Sequence, residues 1–177
     1  MRVSGFSVTI TSSIVIIVLF ALTTSILITV FQGVREAVYA TREYARFERE
    51  KLDVKIRLTV VSVNATSCNL TVENLGSKSI ILRSQDGFNW NTVILSYGDG
   101  TRWQSYPIED YAVLGISVSG TNCTFNVDNH PFINPGEEAK ILIQIPNGAP
   151  EIPEQGLVSV AFVTHYGVVA RGEAIRQ

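Results

Sequence analysis

The apolar positions of this chain are concentrated at its beginning, where no charged side chain lies between Arg2 and Arg35. These 32 uncharged positions would form a helix about 48 Å long. About 20 residues are enough to cross the hydrocarbon core of a bilayer, and the apolar core of a cleaved secretory signal has only about 7–15 residues. We therefore expect residues 1–33 to be an uncleaved transmembrane signal anchor.

Serine and threonine residues interrupt this apolar segment in a pattern that has two interpretations. Six small or hydroxyl-bearing residues fall within an arc of about 120° when drawn on a helix. They are Gly5, Thr9, Ser12, Ser13, Thr23 and Thr24. Either they form a helix-packing face that another helix approaches in lipid, or the hydroxyls donate hydrogen bonds to carbonyls of their own helix.

Helical spacing continues beyond the anchor, now with charged residues. Val34, Val38, Ala45 and Leu52 recur at helical intervals, and acidic and basic residues alternate between them, as in solvent-exposed helices. The pattern predicts a helical stalk over residues 34–52, about 28 Å long. An amphipathic linker helix lying on the membrane surface is the alternative.

From Asp53 onward the hydrophobic period changes to two, which is typical of half-buried strands. Turn signals, including Asn134-Pro-Gly136 and Asn147-Gly148, separate the alternating runs. The expected strands cover residues 53–63, 67–74, 78–83, 91–97, 101–108, 112–119, 122–128, 138–146, 157–166 and 167–174. The loop over residues 128–140 is expected to be turn structure around Asn134-Pro-Gly136; a ligand role is the alternative. The fold class is therefore mainly β: a transmembrane helix with a helical stalk, then an immunoglobulin-like antiparallel β-sandwich over residues 53–177.

Composition and motifs argue against several functions. Only 17% of the residues are charged and the net charge is -2, so we expect no nucleic-acid partner. The two histidines, His130 and His165, lie in unrelated segments without metal-ligand spacing, and no nucleophile motif is present. We expect no catalytic residues, no metal and no cofactor, and hence no enzyme.

Three N-x-[ST] sequons lie in the β domain, at Asn64, Asn69 and Asn122. They indicate glycosylation and a location outside the cytoplasm; the alternative is that they are chance matches that carry no glycans. The two cysteines, Cys68 and Cys123, are either free thiols or a disulfide. The five basic residues that follow the apolar run favour the opposite orientation; we give more weight to the sequons and cysteines.

Four aromatic residues of the β domain are open to two interpretations. Phe88, Trp90, Trp103 and Tyr106 form either a partner surface or core and strand-edge packing.

The order of these elements resembles the type IV pilin-like proteins of archaea, and most closely the accessory proteins F and G of the archaellum, the archaeal flagellum. The resemblance is carried by the segment "MRVSGFSVTITSSIVIIVLFALTTSILITVF" and by the turn "VENLGS". It implies a stator in the cell membrane, with the β-sandwich outside the cytoplasm, in the archaeal pseudo-periplasm. The implied partners are S-layer protein and an accessory partner or archaellins, in a homo- or hetero-oligomer. The alternative is an archaellin or pilin-like filament subunit.

Overall fold

The computed structural model describes residues 4–83, 88–98, 102–121 and 123–177, with side chains described from Ile10 onward. The chain divides into two compact units, Met1–Phe47 and Glu48–Gln177. The first unit is helical, and the second contains the end of the same helix and all of the strands.

A single helix, α1 (Ser4–Leu52), spans 49 residues without interruption. It includes both the predicted anchor and the predicted stalk, so the expected continuity between them is confirmed. Gly33, at the boundary of the two predicted segments, has open space around its Cα. Its presence does not end the helix, because a single glycine costs a helix interior only about 1 kcal/mol.

Eleven strands follow in the described part of the chain. They are β1 (Ile56–Val63), β2 (Ser67–Asn74), β3 (Ile80–Ile81), β4 (Thr92–Gly98), β5 (Trp103–Ile108), β6 (Ala112–Val118), β7 (Thr124–Phe125), β8 (Phe132–Ile133), β9 (Glu137–Gln144), β10 (Leu157–Val163) and β11 (Val169–Ile175). They form an antiparallel five-stranded sheet in the order β1-β2-β9-β6-β7 and a four-stranded sheet in the order β11-β10-β4-β5.

The two sheets enclose one hydrophobic core, to which β2, β4, β9 and β10 contribute alternate residues. Leu70, Ile141 and Ile143 come from the five-stranded sheet, and Val160 and Phe162 from the four-stranded sheet; all are at most 1% exposed. The antiparallel β-sandwich predicted from the alternation is therefore confirmed.

One strand was not predicted. Phe132 and Ile133 lie in the segment expected to be a turn, but they form β8, which pairs with β3. Ile133 is fully buried. The turn chemistry begins directly after it, where Gly136 has a φ of 82° and the Glu137 amide donates to the Asn134 carbonyl.

The two sheets approach closely where β11 passes β1. A Cβ atom on Gly172 of β11 would lie 3.1 Å from the carbonyl oxygen of Leu58. A larger residue would push the sheet edges apart, so this glycine is explained by close approach rather than by its backbone conformation.

Candidate interaction site

The apolar half of α1 exposes its side chains on every side. Ile17, Phe20 and Phe31 are 67%, 76% and 70% exposed, and the apolar residues between them are half exposed or more. Within the described residues, this is the one helix long and apolar enough to cross a membrane, with a mean hydropathy of 2.8 over its best window. A helix that is apolar all round requires an apolar environment, either lipid or other helices.

The threonine hydroxyls of this segment are satisfied within the helix. Thr23 donates to the Leu19 carbonyl at 2.7 Å, and Thr24 donates to the Phe20 carbonyl at 2.7 Å. In both bonds the hydroxyl donates to a carbonyl four residues earlier in the same helix, which is the second of the two interpretations given above.

The remainder of the predicted helix-packing face is less completely described. Gly5, Thr9, Ser12 and Ser13 all lie on the described helix, but the exposure of Gly5 and the side chain of Thr9 lie outside what the structure describes. The packing face stays a prediction.

Two of the three sequons are described, and both belong to the five-stranded sheet. Asn64, in the turn between β1 and β2, is exposed. Asn69, on β2, is half-buried, and its amide donates to the Ser62 hydroxyl on β1 at 2.9 Å. Asn122 lies outside the described residues. Glycans at Asn64 and Asn69 would therefore project from the five-stranded sheet and its β1–β2 turn.

The cysteines are far apart in the structure, which corrects the disulfide alternative. Cys68 on β2 lies opposite Ile143 of β9. The Cys123 carbonyl accepts a hydrogen bond from Val118, which lies opposite Glu137 of β9. Cys68 and Cys123 are therefore separated by three strand spacings across the sheet, which is about 14 Å. They are also separated by six residues along β9, which is about 20 Å. A disulfide needs Cα atoms within about 7 Å, and both thiols are free.

The four aromatic residues singled out in the sequence lie in two groups. Phe88 and Trp90 are 67% and 49% exposed, and their ring centroids are 6.0 Å apart. The ring centroids of Trp90 and His165 are 6.5 Å apart. We call Phe88, Trp90 and His165 the aromatic cluster. On β5, Trp103 is 54% exposed, whereas Tyr106 is half-buried and packs on the buried ring of Tyr97. The aromatic cluster thus fits the partner-surface interpretation, and Tyr106 fits the packing interpretation.

Asn74, in the "VENLGS" turn, connects the entry of the β domain to its core. Its side chain is fully buried and donates to the carbonyls of Lys78 at 2.8 Å and Ile133 at 2.9 Å. Its amide oxygen accepts from the backbone of Gly76 at 3.0 Å. A buried amide must have such partners, and this one joins the end of β2 to β8.

The same turn also holds the segment between α1 and β1. The amide of Leu75 donates to the carbonyl of Lys55 at 2.7 Å, and the amide of Ser77 donates to the carbonyl of Asp53 at 2.9 Å. Between these bonds, the side chain of Val54 is buried. We call residues 53–55 and 74–78 the entry clamp. Its sequence was recognisable as a turn, but nothing in the sequence indicated its contacts with residues 53–55.

Glu137 and His130 form the most buried ion pair among the described residues. Glu137 Oε2 lies 2.9 Å from His130 Nε2, and the side chains of His130 and Glu137 are 17% and 10% exposed. The backbone amide of Asn134 donates to the same oxygen at 2.7 Å. Burial acts to raise the pKa of Glu137, but the hydrogen bonds from His130 and Asn134 and the charge of His130 outweigh it, so the pKa is lowered from its ordinary value of 4.5.

We expect Glu137→Gln to destabilise the β domain by about 1–2 kcal/mol at neutral pH, because a hydrogen-bonded charge is lost. The pKa of Glu137 is lower in the folded state than in the unfolded state. The carboxylate therefore stabilises the folded domain fully at pH values above the unfolded-state pKa, and this stabilisation is lost as the pH falls through the folded-state pKa. Urea unfolding of the full chain in detergent at pH 7 and pH 3 measures the difference, which should be smaller at the lower pH. The exposed Glu151→Gln is the control; an equal loss by Glu137→Gln at both pH values would contradict the role of the charge.

Among the described residues, no three His, Cys, Asp or Glu side chains gather as a metal site requires. A cavity of about 420 Å³ is lined by residues that include Arg83, Asp110, Tyr111 and Gln144. The expectation that the chain is not an enzyme stays a prediction.

Comparison with known proteins gives structural likeness only. No family model matches the chain, and no curated protein matches its sequence. A chain of the archaeal flagellum of Methanospirillum hungatei strain JF1 is similar over 99% of this chain and 94% of that chain, with a TM-score of 0.51 and 12% identity. This likeness shows a common fold of long helix and β domain.

Two other solved structures cover about two thirds of the chain. They are the archaellum periplasmic stator protein FlaG of Sulfolobus acidocaldarius (TM-score 0.41, 12% identity, 68% of this chain and 100% of that chain) and the FlaF–FlaG stator complex of the same organism (TM-score 0.40, 15% identity, 67% of this chain and 88% of that chain). All three of these structures are of archaellum components, and the likeness to the Methanospirillum chain shows the fold.

Proposed function

We propose that this chain is a membrane-anchored accessory or stator protein of an archaellum, whose β-sandwich binds S-layer protein or a partner subunit outside the cytoplasm. The observation that carries the proposal is the direct connection between α1 and β1. Only residues 53–55 separate the helix from the first strand, and backbone hydrogen bonds hold them to the turn that follows β2. A segment long and apolar enough to cross a membrane is thus followed directly in the chain by a packed β domain, which is the order of elements in a membrane-anchored domain.

The aromatic cluster is the surface that we assign to the envelope partner. Exposed aromatic side chains are enriched in the energetically dominant parts of interfaces. Phe88 and Trp90 lie in the segment that leads into β4. The described sequons Asn64 and Asn69 lie in the β1–β2 turn and on β2, far from this segment in the chain.

Co-sedimentation with S-layer lattice from the native organism tests this proposal. We expect the full chain in detergent to bind the lattice saturably, and Trp90→Ser to weaken binding about tenfold or more, as for a central aromatic contact. Leu114→Ser is the matched control, since Leu114 is 61% exposed and lies at a bulge of β6. Lack of binding by the folded, glycosylated chain would refute S-layer anchoring.

A filament subunit is the second candidate, and the likeness of nearly the whole chain to a chain of the Methanospirillum flagellum favours it. In that case α1 would pack against other helices in a fibre core instead of staying in the membrane. Shearing cells and quantifying the chain in filaments and membranes separates the two functions. The stator proposal expects the chain in the membrane fraction, and stoichiometric recovery in sheared filaments would replace it with the filament function.

A further inference from the structure

The stalk part of α1, residues 34–52, carries a repeat of seven residues. The dipeptide Arg-Glu recurs at residues 35–36, 42–43 and 49–50. On a helix, residues seven apart lie on nearly the same face, because two turns take about 7.2 residues. The three arginines therefore form one stripe along the helix, and the three glutamates form a second stripe beside it. We call Arg35, Arg42 and Arg49 the arginine stripe. Charges repeated in this way are typical of helices that pair with other helices.

An apolar seam runs along the helix next to the arginine stripe. Its positions are spaced alternately four and three residues apart, as in the buried seam of a coiled coil. They are occupied by Val34, Val38, Thr41, Ala45, Glu48 and Leu52, which we call the seam. Val34, Val38 and Leu52 are 57%, 44% and 85% exposed, so the described part of the chain leaves them open. Glu48 pairs with Lys51 of the same helix at 2.7 Å.

The same spacing continues into the apolar segment of α1. Followed toward the N-terminus, it passes through Phe31, Leu27, Thr24 and Phe20. Phe31 and Phe20 are 70% and 76% exposed, and Thr24 belongs to the predicted helix-packing face. One helix lying along the seam would therefore contact α1 both in the stalk and in the part long and apolar enough to cross a membrane.

Interactions within the helix do not account for the arginine stripe. Side chains of a helix meet at spacings of three and four residues, and no acidic residue stands at these spacings from Arg35 or Arg42. Arg35 instead lies over the ring of Tyr39, 5.5 Å from its centroid. Among the described residues, no ion pair includes Arg35, Arg42 or Arg49. The stripe therefore presents positive charge beside an open apolar seam.

The same charges disfavour a second copy of this chain as the occupant of the seam. In the coiled-coil notation abcdefg, with the seam at a and d, the arginine stripe holds the e positions, and the g positions are Ala37, Tyr44 and Lys51. Two parallel copies would place e opposite g, where no acidic side chain stands. Two antiparallel copies would place arginine opposite arginine. Because charges at e and g set the choice of partner, the seam fits a helix with a different sequence.

We infer that the seam and the arginine stripe bind an acidic helix of a different polypeptide, in which glutamate or aspartate side chains face Arg35, Arg42 and Arg49. Contacts along the seam supply the attraction, and the charges select the partner. The stalk is only about 28 Å long, so the pairing is weak between free helices and is favoured when both chains share one membrane. This surface is separate from the aromatic cluster, and the inference holds for a stator and for a filament subunit.

Binding of designed peptides to the full chain in phosphatidylcholine nanodiscs tests the inference. The probe is a fluorescent peptide of about four heptads, long enough to form a helix, with leucine at its a and d positions and glutamate at e and g. Repulsion between these glutamates disfavours pairing of the peptide with itself. A peptide with lysine at e and g is the control. Fluorescence anisotropy gives both dissociation constants, and empty nanodiscs give the background.

The matched variant of the chain reverses the order of two Arg-Glu pairs. It combines Arg35→Glu with Glu36→Arg, and Arg42→Glu with Glu43→Arg, so its composition and net charge are unchanged. We expect the natural chain to bind the acidic peptide at least about tenfold more tightly than the basic one, and the variant to prefer the basic peptide.

Three results would overturn the inference: binding of neither peptide, equal binding of both, and an unchanged preference in the variant. The last two would mean that attraction follows overall charge or apolar contact rather than the arginine stripe. Lattice binding through the aromatic cluster is a separate measurement, so this inference and the proposed function can fail independently.

Discussion

Replacing Asn74 by alanine is expected to lower the free energy of unfolding of the β domain by about 3–5 kcal/mol. The substitution leaves the carbonyls of Lys78 and Ile133 and the amide of Gly76 without their side-chain partner, and each buried group left unsatisfied costs about 1–3 kcal/mol. The Asn74 side chain is fully buried and its bond to the Ile133 carbonyl is buried as well, so bulk water does not replace that bond. Urea unfolding of the full chain in detergent, followed by tryptophan fluorescence, gives the value.

Asn129→Ala is the matched control, because Asn129 is exposed; it should change the free energy of unfolding by less than about 0.5 kcal/mol. Asn74→Asp separates hydrogen bonding from side-chain volume. It preserves the shape and the acceptor for the Gly76 amide but removes both donors, and it should be destabilising as well. A near-neutral effect of Asn74→Ala would contradict the role of the entry clamp.

Gly76→Ala is expected to destabilise the domain by about 3 kcal/mol, at the upper end of the range for added methyl groups in packed sites. A Cβ atom at this position would lie 2.5 Å from both the Asp53 carbonyl oxygen and the Lys55 nitrogen. Both atoms belong to the backbone, so no side-chain rotation can relieve the contact. The segment that follows α1 must move, and the hydrogen bonds of Leu75 and Ser77 to it should weaken.

Hydrogen exchange measures this movement locally. In Gly76→Ala the amides of Leu75 and Ser77 should lose protection more than amides of the central strand β9. Gly33→Ala is the control, because a Cβ there meets no atom within 4 Å, and it should leave the β domain unchanged. Uniform protection in both variants would show that the clamp tolerates a methyl group.

Local periodicity was sufficient to predict most of the fold. The change from helical spacing to strict alternation near Asp53 was visible because a core on one side imposes a period of two on each strand. β8 was missed for a physical reason: two residues between Pro131 and Asn134 are too few to show any period. Pairing with β3, which lies far earlier in the chain, decides their conformation.

The sequence was much less informative about the candidate sites. The Asn74 side chain reaches a carbonyl 59 residues away, so only the folded chain shows that this turn residue is a buried connector. The separation of Cys68 and Cys123 depends on the order of strands in the five-stranded sheet.

The position of the entry clamp has a consequence for how the domain would respond to tension. A pull along the chain from α1 reaches the sandwich first at Asp53 and Lys55, whose carbonyls are held by the turn that follows β2. β1 begins at Ile56, directly opposite Asn74. The bonds of the turn and the first bonds of the β1–β2 ladder are therefore the first that such a force would load. Tension on the chain would be borne at the start of the sandwich before it reached the strands of the core.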